Sequence, residues 1–206
     1  MKKFRIQVLA VVALALATTV WAQSLVKYES KPGTKVRLDG TSSIKAWDVE
    51  SGIVAGTLEI DSAFAADPTA AKPGKIPAQV TTTIPVRSLK SGTKAMDDRM
   101  YQAMNLQKFP RIEYRLTELT LKETPKSANG PFNFDSKGEL SLSGVTNKVS
   151  FPVTMTRSDK TLKTSGSASV KMTSYGIEPP GLILGIKTGD EVKVTFEWVT
   201  GVSEAK

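Results

Sequence analysis

The stretch MDDRMYQAMNLQKFPRIEYRL, residues 96–116, changes its hydrophobic period in the middle. In its first half the apolar residues recur every three or four positions, which predicts one face of a helix. They are Met96, Met100, Ala103 and Met104. Pro110 prevents the helix from continuing, and beyond it the apolar residues alternate with polar ones, which predicts a strand with one buried face. They are Ile112, Tyr114 and Leu116. The helix and the strand therefore need a common apolar surface.

The polar residues at the start of this helix fit a capping role. Thr93 is a residue type that caps helix N-termini, and carboxylates at Asp97 and Asp98 suit an early turn through the helix dipole. Consecutive helical residues point about 100° apart, so the two carboxylates do not form a general acid–base pair. We expect both to be solvated.

The rest of the chain mostly alternates apolar and polar residues between turn residues, as antiparallel strands do. The strand-like segments are TKVRLDG, IKAWDVESGIVAGTLEID, QVTTTIPVRSL, RIEYRLTELTLKE, GELSLSG, KVSFPVTMTR, GSASVKM and EVKVTFEWV. The second segment changes parity near Gly52 and Gly56, which predicts a strand pair or one bent strand. Residues 62–78, rich in Ala and Pro, are predicted to form a surface excursion. Seven or eight strands with one interrupting helix indicate a closed barrel or a sandwich.

The N-terminal residues are typical of a secretory signal peptide. A basic start containing Lys2, Lys3 and Arg5 precedes an apolar run that is too short for a comfortable membrane span. Val20 and Ala22 are small or medium-sized residues at the −3 and −1 positions before Gln23, as signal cleavage requires. Residues 1–22 are therefore predicted to be a cleaved signal peptide and residues 23–206 a single exported, periplasmic domain. The domain has no cysteine and therefore no disulfide, and it is long enough to bury a core without one.

The charge of the chain does not predict a nucleic-acid partner. The sequence has 28 basic and 20 acidic residues, and removal of the three basic residues of the signal leaves an excess of five. These charges are spread along the chain, without a basic cluster interleaved with aromatic residues, so a solvated surface is expected. The sequence leaves open a weak, transient contact with an anionic membrane surface. It also leaves open the formation of a homodimer.

The residue types present exclude several kinds of chemistry. The sequence has no histidine and no cysteine, which excludes Ser-His-Asp and Cys-His catalysis and the usual zinc sites. Ser-x-x-Lys occurs at residues 42–45 and 91–94, but serine and lysine are abundant and no partner motif accompanies either match. No phosphate-binding or calcium-binding loop is present. We expect no enzyme, no cofactor and no metal.

The informative feature of the sequence is the set of apolar residues predicted to face inward. They are Trp47, Ile84, Met96, Met100, Met104, Phe109, Ile112, Tyr114, Phe151, Met155, Met172, Tyr175, Phe196 and Trp198. Methionine fills irregular gaps in an ordinary core, but it also conforms to flexible apolar guests. A barrel of about eight strands is either filled by side chains or wide enough for one ligand, so the residues alone leave a filled core and a ligand site open.

Several of these stretches together resemble the YceI-like family of exported proteins. They are GTSSIKAWDVESGIVAGTLEID, SLKSGTKAMDDRMYQAMNLQKFPRIEYRL, GELSLSGVTNKVSFPVT, KMTSYGIEP and GDEVKVTFEW, in an order and spacing that extend over nearly the whole exported chain. The resemblance implies an all-β fold, a lipocalin-like antiparallel β-barrel of about eight strands with one helix between strands, whose members bind polyisoprenoid chains. It also implies that the methionine helix caps or lines the barrel and that the fourteen residues above line its cavity.

The resemblance favours a non-enzymatic periplasmic protein that holds an isoprenoid-type lipid, such as a polyprenol or an isoprenoid quinone. The alternative is a structural or interaction protein of the cell envelope with a filled barrel. The segment GLILG, residues 181–185, lies between strand-breaking residues but is too apolar for a plain solvated loop. We expect it to fold back over the mouth of the barrel.

Overall fold

The structure, a computed structural model, describes residues 24–181 and 187–203 and is built almost entirely of antiparallel strands. The first strands and helix are β1 (Leu25–Ser30), β2 (Lys35–Ser42), β3 (Trp47–Ser51), β4 (Ala55–Asp61), α1 (Ser62–Ala66), β5 (Gly74–Lys75) and β6 (Ala78–Pro85). The remainder are α2 (Lys94–Ala103), β7 (Arg111–Leu121), β8 (Phe132–Leu142), β9 (Val145–Ser158), β10 (Thr161–Lys171) and β11 (Thr188–Val202). Short 3₁₀ turns occupy Pro68–Ala70, Val86–Ser88 and Met172–Tyr175.

Eight strands close into a barrel, which confirms the predicted fold class and decides between a barrel and a sandwich. The strand order around the wall is β1, β4, β6, β7, β8, β9, β10 and β11, and β1 also pairs with β11. That closing pair joins Tyr28 to Val202 and Ser30 to Thr200. The indole of Trp198 strengthens the closure, because its Nε1 donates a hydrogen bond of 2.8 Å to the Ser30 hydroxyl.

Strands β2 and β3 extend the wall at one end of the barrel. β2 pairs with β11 from Lys35 to Ser42, and β3 pairs with β2. Residues 52–54 lie between β3 and β4 and belong to neither strand. The segment IKAWDVESGIVAGTLEID therefore contains two strands separated by a bend, one of the two arrangements that its change of parity predicted. This end of the barrel carries α2, and we call it the helix end.

The opposite end, which we call the closed end, is filled by aromatic side chains. Phe64 of α1 packs edge-on against Phe132 and Phe134, with ring centroids 5.5 Å and 5.6 Å apart. The carboxylate of Asp61 accepts a hydrogen bond from the Phe64 amide and caps α1, which holds this ring over the barrel. The prediction of a surface excursion for residues 62–78 is therefore wrong at Phe64, because its ring is buried against the aromatic residues of the closed end.

Helix α2 is fixed to the barrel at both of its ends. Near its start the buried carboxylate of Asp97 accepts hydrogen bonds of 2.8 Å and 2.7 Å from the amide and hydroxyl of Ser91. At its C-terminal end the Ser143 hydroxyl donates to the carbonyl oxygen of Met104. Thr93 occupies the predicted cap position but makes no side-chain capping bond, and Asp97 is buried, so both polar residues differ from the prediction.

A tight hairpin joins β8 and β9 at the helix end. Ser143 and Gly144 both have positive φ angles, and Leu142 pairs with Val145 across them. This geometry is that of a two-residue turn whose twist matches the flanking strands. Asn147 lies in β9 beyond the turn, and its side-chain amide donates to the carbonyl of Ser174.

In residues 24–181 and 187–203 no helix is long and apolar enough to span a bilayer. Residues 182–185 of the predicted mouth segment lie outside the described residues, so the position of the segment stays a prediction. Pro180 and Thr188, on either side of it, both line the cavity at the helix end.

Candidate functional site

The helix end of the barrel encloses an apolar cavity of about 450 Å³ between α2 and the strands. We call it the outer cavity. Its helix wall consists of Met96, Met100, Ala103 and Met104, the residues whose spacing predicted an apolar helix face. Ile112 of β7 lines the same space. The helix and the strand after Pro110 therefore do share an apolar surface, which is the lining of this cavity.

A second apolar cavity of about 160 Å³ lies deeper, toward the closed end. We call it the inner cavity. The two cavities have five lining residues in common, so they are adjacent along the barrel axis. The shared residues are Val36, Ile84, Leu140, Val170 and Val194. The inner cavity is bounded at its far side by Met155 and Trp198, which are buried among the core residues of the closed end.

The structure brings twelve of the fourteen predicted residues to these cavities. The outer cavity is lined by Trp47, Ile84, Met96, Met100, Met104, Ile112 and Met172. The inner cavity is lined by Ile84, Tyr114, Phe151, Met155, Phe196 and Trp198. Several of these side chains are only partly buried although they face the inside of the barrel, because they border space rather than other atoms.

Phe109 and Tyr175 line neither cavity. The Phe109 ring lies over the backbone of Gly144 and packs the β8–β9 turn beneath the end of α2. Tyr175 is buried in the apolar cluster next to α2, and its burial raises the pKa of its hydroxyl. Both residues support the helix end of the barrel from outside the cavity.

Aromatic residues that line the cavities lie over glycines of neighbouring strands. Trp47 lies over Gly40, its direct partner in β2, and its Nε1 donates a hydrogen bond of 3.0 Å to the carbonyl of Thr41. In the inner cavity Phe196 lies over Gly166 in the same way. The glycines leave room for the rings to lie against the wall, which keeps the centre of the barrel open.

Sequence reasoning missed the polar residues of the outer cavity. They are Ser42, Lys45, Thr93, Arg99 and Thr188. The Ser42 hydroxyl donates to the carbonyl of Lys45 and the Thr188 hydroxyl to that of Pro180, so these two groups are already hydrogen-bonded. No periodic signal identifies such residues, because they come from the end of β2, two loops, the start of β11 and a helix that are distant in the chain.

Two hydroxyls at the inner cavity have no hydrogen-bond partner in the described part of the chain. They belong to Tyr114 and Thr164, and both oxygen atoms are buried. Burial raises the pKa of the Tyr114 phenol, so this group stays neutral. None of the described residues that line the inner cavity carries a charge.

The serines of the two Ser-x-x-Lys spacings make hydrogen bonds to groups other than lysine amines. Within residues 24–181 and 187–203 neither serine of the two Ser-x-x-Lys spacings is hydrogen-bonded to a lysine amine. The Ser42 hydroxyl is bonded to backbone, and the Ser91 hydroxyl donates to Asp97. What the geometry offers is an apolar space with polar groups at one end, which is the composition of a binding site for an apolar molecule.

Comparison with known proteins identifies relatives of this barrel. A family model described as the YceI-like domain matches residues 28–200. The crystal structure of Burkholderia cenocepacia BcnA has a TM-score of 0.62 at 18% identity and covers 81% of this chain and 95% of its own. A structure described as a polyisoprenoid binding domain from Saccharophagus degradans has a TM-score of 0.63 at 12% identity, with coverages of 87% and 99%. The Campylobacter jejuni YCEI protein has a TM-score of 0.58 at 12% identity, with coverages of 76% and 85%. A search of curated protein sequences finds no match.

Proposed function

Because the chain belongs to the YceI-like family, we propose that it is a non-enzymatic binding protein that holds an isoprenoid-type lipid, a polyprenol or an isoprenoid quinone. The observation that carries the proposal is the outer cavity, about 450 Å³ of apolar space under α2. It supports lipid binding over the alternative of a filled barrel that acts only through its surface. A polyisoprenoid-binding domain with the same fold gives independent support.

The size of the cavity fits a chain of a few isoprene units. An apolar cavity of about 150 Å³ accommodates benzene, so the outer cavity accommodates roughly 15 to 20 carbon atoms. Its volume also lies within the range of about 300–1,000 Å³ that is usual for small-molecule sites. A longer chain would need the inner cavity as well, or an outward movement of α2.

The energetics of burial are sufficient without a charged anchor. Each buried CH₂-sized group contributes about 0.8 kcal/mol. Four isoprene units, with about 20 such groups, therefore contribute about 16 kcal/mol. A micromolar complex needs roughly 8 kcal/mol, which leaves about 8 kcal/mol for the cost of association and of ordering the chain. The methionine side chains of α2 adapt to an irregular, flexible guest at little cost.

Lipid extraction from the purified protein tests the proposal. We expect mass spectrometry of the extract to find an isoprenoid-type lipid at close to one molecule per protein. The variant Ala103→Trp should retain much less of it, because the new indole fills space between α2 and the strands. Gln102→Trp is the matched control, since Gln102 is exposed on the same helix and does not line the cavity. Empty protein that also refuses added polyprenol would refute the proposal, and so would equal lipid content in the two tryptophan variants.

The place of action that we propose is the periplasm. The basic start and apolar run of residues 1–22 support export, and the exported chain should begin at Gln23. N-terminal sequencing of the protein recovered from a periplasmic fraction checks this. Recovery of a chain that keeps residues 1–22 would show that the segment is not a cleaved signal.

A further inference from the structure

The outer cavity opens to solvent between the β2–β3 loop and the start of α2. Four residues that line it are also exposed to solvent: Lys45 in that loop, Thr93 and Ala95 at the start of the helix, and Arg99 one turn further on. A residue that borders both the cavity and the solvent lies at the entrance. A guest therefore enters past the surface beside these four residues.

An isoleucine side chain projects into solvent beside this entrance. Ile44 is 68% exposed, the largest exposed fraction among the large apolar side chains of the described residues. Its neighbours Ser43, Lys45 and Ala46 are exposed as well. A single exposed apolar residue is ordinary on a protein surface, so its exposure alone assigns no role. Its place next to the entrance of an apolar cavity is what distinguishes it.

Hydrogen bonds hold the loop so that Ile44 points outward. The Ser42 hydroxyl accepts from the amides of Ile44 and Lys45 at 3.3 Å and 3.2 Å. The Ser43 amide donates to the carbonyl of Lys187 at 2.9 Å, and the Ser43 hydroxyl accepts from the Lys187 amide at 3.1 Å. The exposure of Ile44 is therefore a feature of the fold. We call residues 43–46 together with Lys187 the tip.

The tip and the entrance carry cations that are not neutralised by neighbouring side chains. Within residues 24–181 and 187–203 no carboxylate lies within ion-pair distance of Lys45, Lys187 or Arg99. Acidic residues close to them in the chain are bonded elsewhere, in the pairs Asp48–Arg37, Asp98–Lys94 and Asp190–Thr173. On the barrel wall, by contrast, cations are paired across strands, as Lys163 is with Glu197.

We propose that the tip docks on the surface of a bilayer that contains anionic lipids, with Ile44 among the acyl chains and the cations near the phosphates of the surrounding lipids. Binding in the plane of a membrane interface combines buried apolar area with attraction to anionic lipids, and the tip supplies both. The positive charge favours this occupant over a second copy of the chain, because two tips facing each other across a symmetric contact repel. This inference rests on the proposed function, since a carrier of a membrane lipid must meet the membrane with its entrance.

A label at single positions tests which part of the surface meets the bilayer. The sequence has no cysteine, so one introduced cysteine carries a nitrobenzoxadiazole label at a chosen site. Ile44→Cys places the label at the tip, and Val202→Cys places it at the last strand residue of β11, at the closed end. Both side chains are exposed in the parent protein. The vesicles are phosphatidylcholine with about a third of phosphatidylglycerol, an anionic lipid.

We expect added vesicles to shift the emission of the label at residue 44 to the blue and to leave the label at residue 202 unchanged. Vesicles of phosphatidylcholine alone should produce a much smaller shift. The shift should also weaken as sodium chloride is raised, because salt screens the attraction between exposed charges. No shift at residue 44, or equal shifts at the two positions, overturns the assignment of the tip.

A double variant, Ile44→Ser with Lys187→Gln, should weaken sedimentation with the anionic vesicles by at least about tenfold. A cation near an anionic surface contributes about fivefold in affinity, and loss of the isoleucine adds to this. The matched control is Ile53→Ser with Lys126→Gln, which removes the same two groups elsewhere on the surface and should keep vesicle binding. Denaturant midpoints establish that both variants are folded.

Affinity for farnesol separates docking from lipid binding. Ile44 and Lys187 line neither cavity, so their double variant should bind farnesol with the dissociation constant of the parent protein, measured by quenching of tryptophan fluorescence. Unchanged vesicle binding in this variant, with farnesol still bound, overturns the docking surface and leaves the proposed function intact. Failure of the parent protein to bind farnesol counts against the proposed function itself. Self-association of the parent protein that the variant loses, in sedimentation without vesicles, overturns the proposal in favour of a contact between two copies.

Discussion

At the scale of single residues, the methionines of α2 are the positions at which a lipid-binding cavity can be distinguished from a filled core. Met100 and Met104 both line the outer cavity, although Met104 is the more deeply buried of the two. A side chain that already borders space loses fewer contacts when it is shortened than one that is packed on all sides. Shortening these methionines should therefore reduce the lipid content more clearly than it reduces the stability of the protein.

We predict that Met100→Ala lowers the free energy of unfolding by less than the 2–5 kcal/mol typical of a packed side chain, and that lipid retention falls clearly. Met104→Ala should lose more stability than Met100→Ala and also retain less lipid. Leu121→Ala is the packed control, because Leu121 is buried in the core and lines neither cavity. Denaturant midpoints and bound lipid per protein measure both effects. A full loss of stability with unchanged lipid content would make the methionines ordinary core residues.

Asp97 makes the stability of the fold around α2 depend on pH. Burial opposes its ionisation, but hydrogen bonds from the amide and hydroxyl of Ser91 and the charge of Lys90 outweigh burial and hold the pKa of Asp97 below its usual value. A lowered pKa in the folded state means that the carboxylate stabilises the fold above the unfolded pKa of about 4. That contribution is lost as the pH falls through the folded pKa.

We predict that Asp97→Asn lowers stability at pH 7 by about 1–2 kcal/mol, because the hydrogen bonds from Ser91 lose their charge assistance and the ion pair with Lys90 is lost. The difference from the parent protein should narrow below pH 4. Asp98→Asn is the neighbouring control, since Asp98 is exposed and its pair with Lys94 contributes little. Urea unfolding as a function of pH is the measurement. Similar losses in the two variants at pH 7 would show that the bonds of Asp97 do not anchor the helix.

At the scale of elements, the glycines of the strands determine how far the aromatic rings reach into the barrel. A Cβ atom added at Gly40 would overlap the indole of Trp47, whereas one added at Gly52 would meet the nearest atom at 3.8 Å. The pairing of β2 with β3 thus depends on a residue without a side chain directly under a large ring. The ring must move if that space is filled.

We predict that Gly40→Ala costs about 1–3 kcal/mol of stability and reduces lipid binding, because Trp47 is pushed from the wall toward the outer cavity. Gly52→Ala should have a much smaller effect on both quantities, since a methyl group there makes ordinary contacts. Thermal unfolding and the farnesol dissociation constant provide the comparison. Unchanged lipid binding in folded Gly40→Ala would show that the position of Trp47 is unimportant for the guest.

At the scale of the whole molecule, the barrel is packed at one end and hollow at the other. The closed end holds the buried aromatic residues Phe64, Phe132 and Phe134, and the helix end holds the outer cavity. Local stability follows the density of buried apolar contacts. The two ends should therefore open with different free energies.

We predict that hydrogen exchange is slow at β8 near Phe132 and Phe134 whether or not lipid is bound. The amides of α2 should exchange faster in lipid-free protein and become more protected when a guest fills the space below the helix. Exchange followed by mass spectrometry on lipid-free and lipid-loaded protein measures this. Equal protection of α2 in both states would indicate that the helix does not depend on the contents of the cavity.

Much of this arrangement was determined by the sequence itself. The change of period at Pro110 identified α2 and β7, and alternation identified the faces of most other strands, because these periods follow directly from backbone geometry. The parity of β9 puts Phe151 and Met155 on one face of the strand, and both line the inner cavity. The absence of histidine and cysteine by itself excludes Ser-His-Asp and Cys-His catalysis, because no other side chains supply those groups.

Only the tertiary structure decided which inward residues border space. Phe151 and Met155 share one face of β9 and both line the inner cavity, yet Met155 is also buried among the core residues of the closed end while Phe151 is only partly buried. Periodicity reports the face of a strand but not the distance to the opposite wall, which depends on how the barrel closes. That closure joins β1 to β11, and its Trp198–Ser30 hydrogen bond spans 168 positions of the chain. The meeting of Lys45 with Arg99 at one cavity and the insertion of Phe64 into the closed end depend on the same long-range pairing, which no local pattern contains.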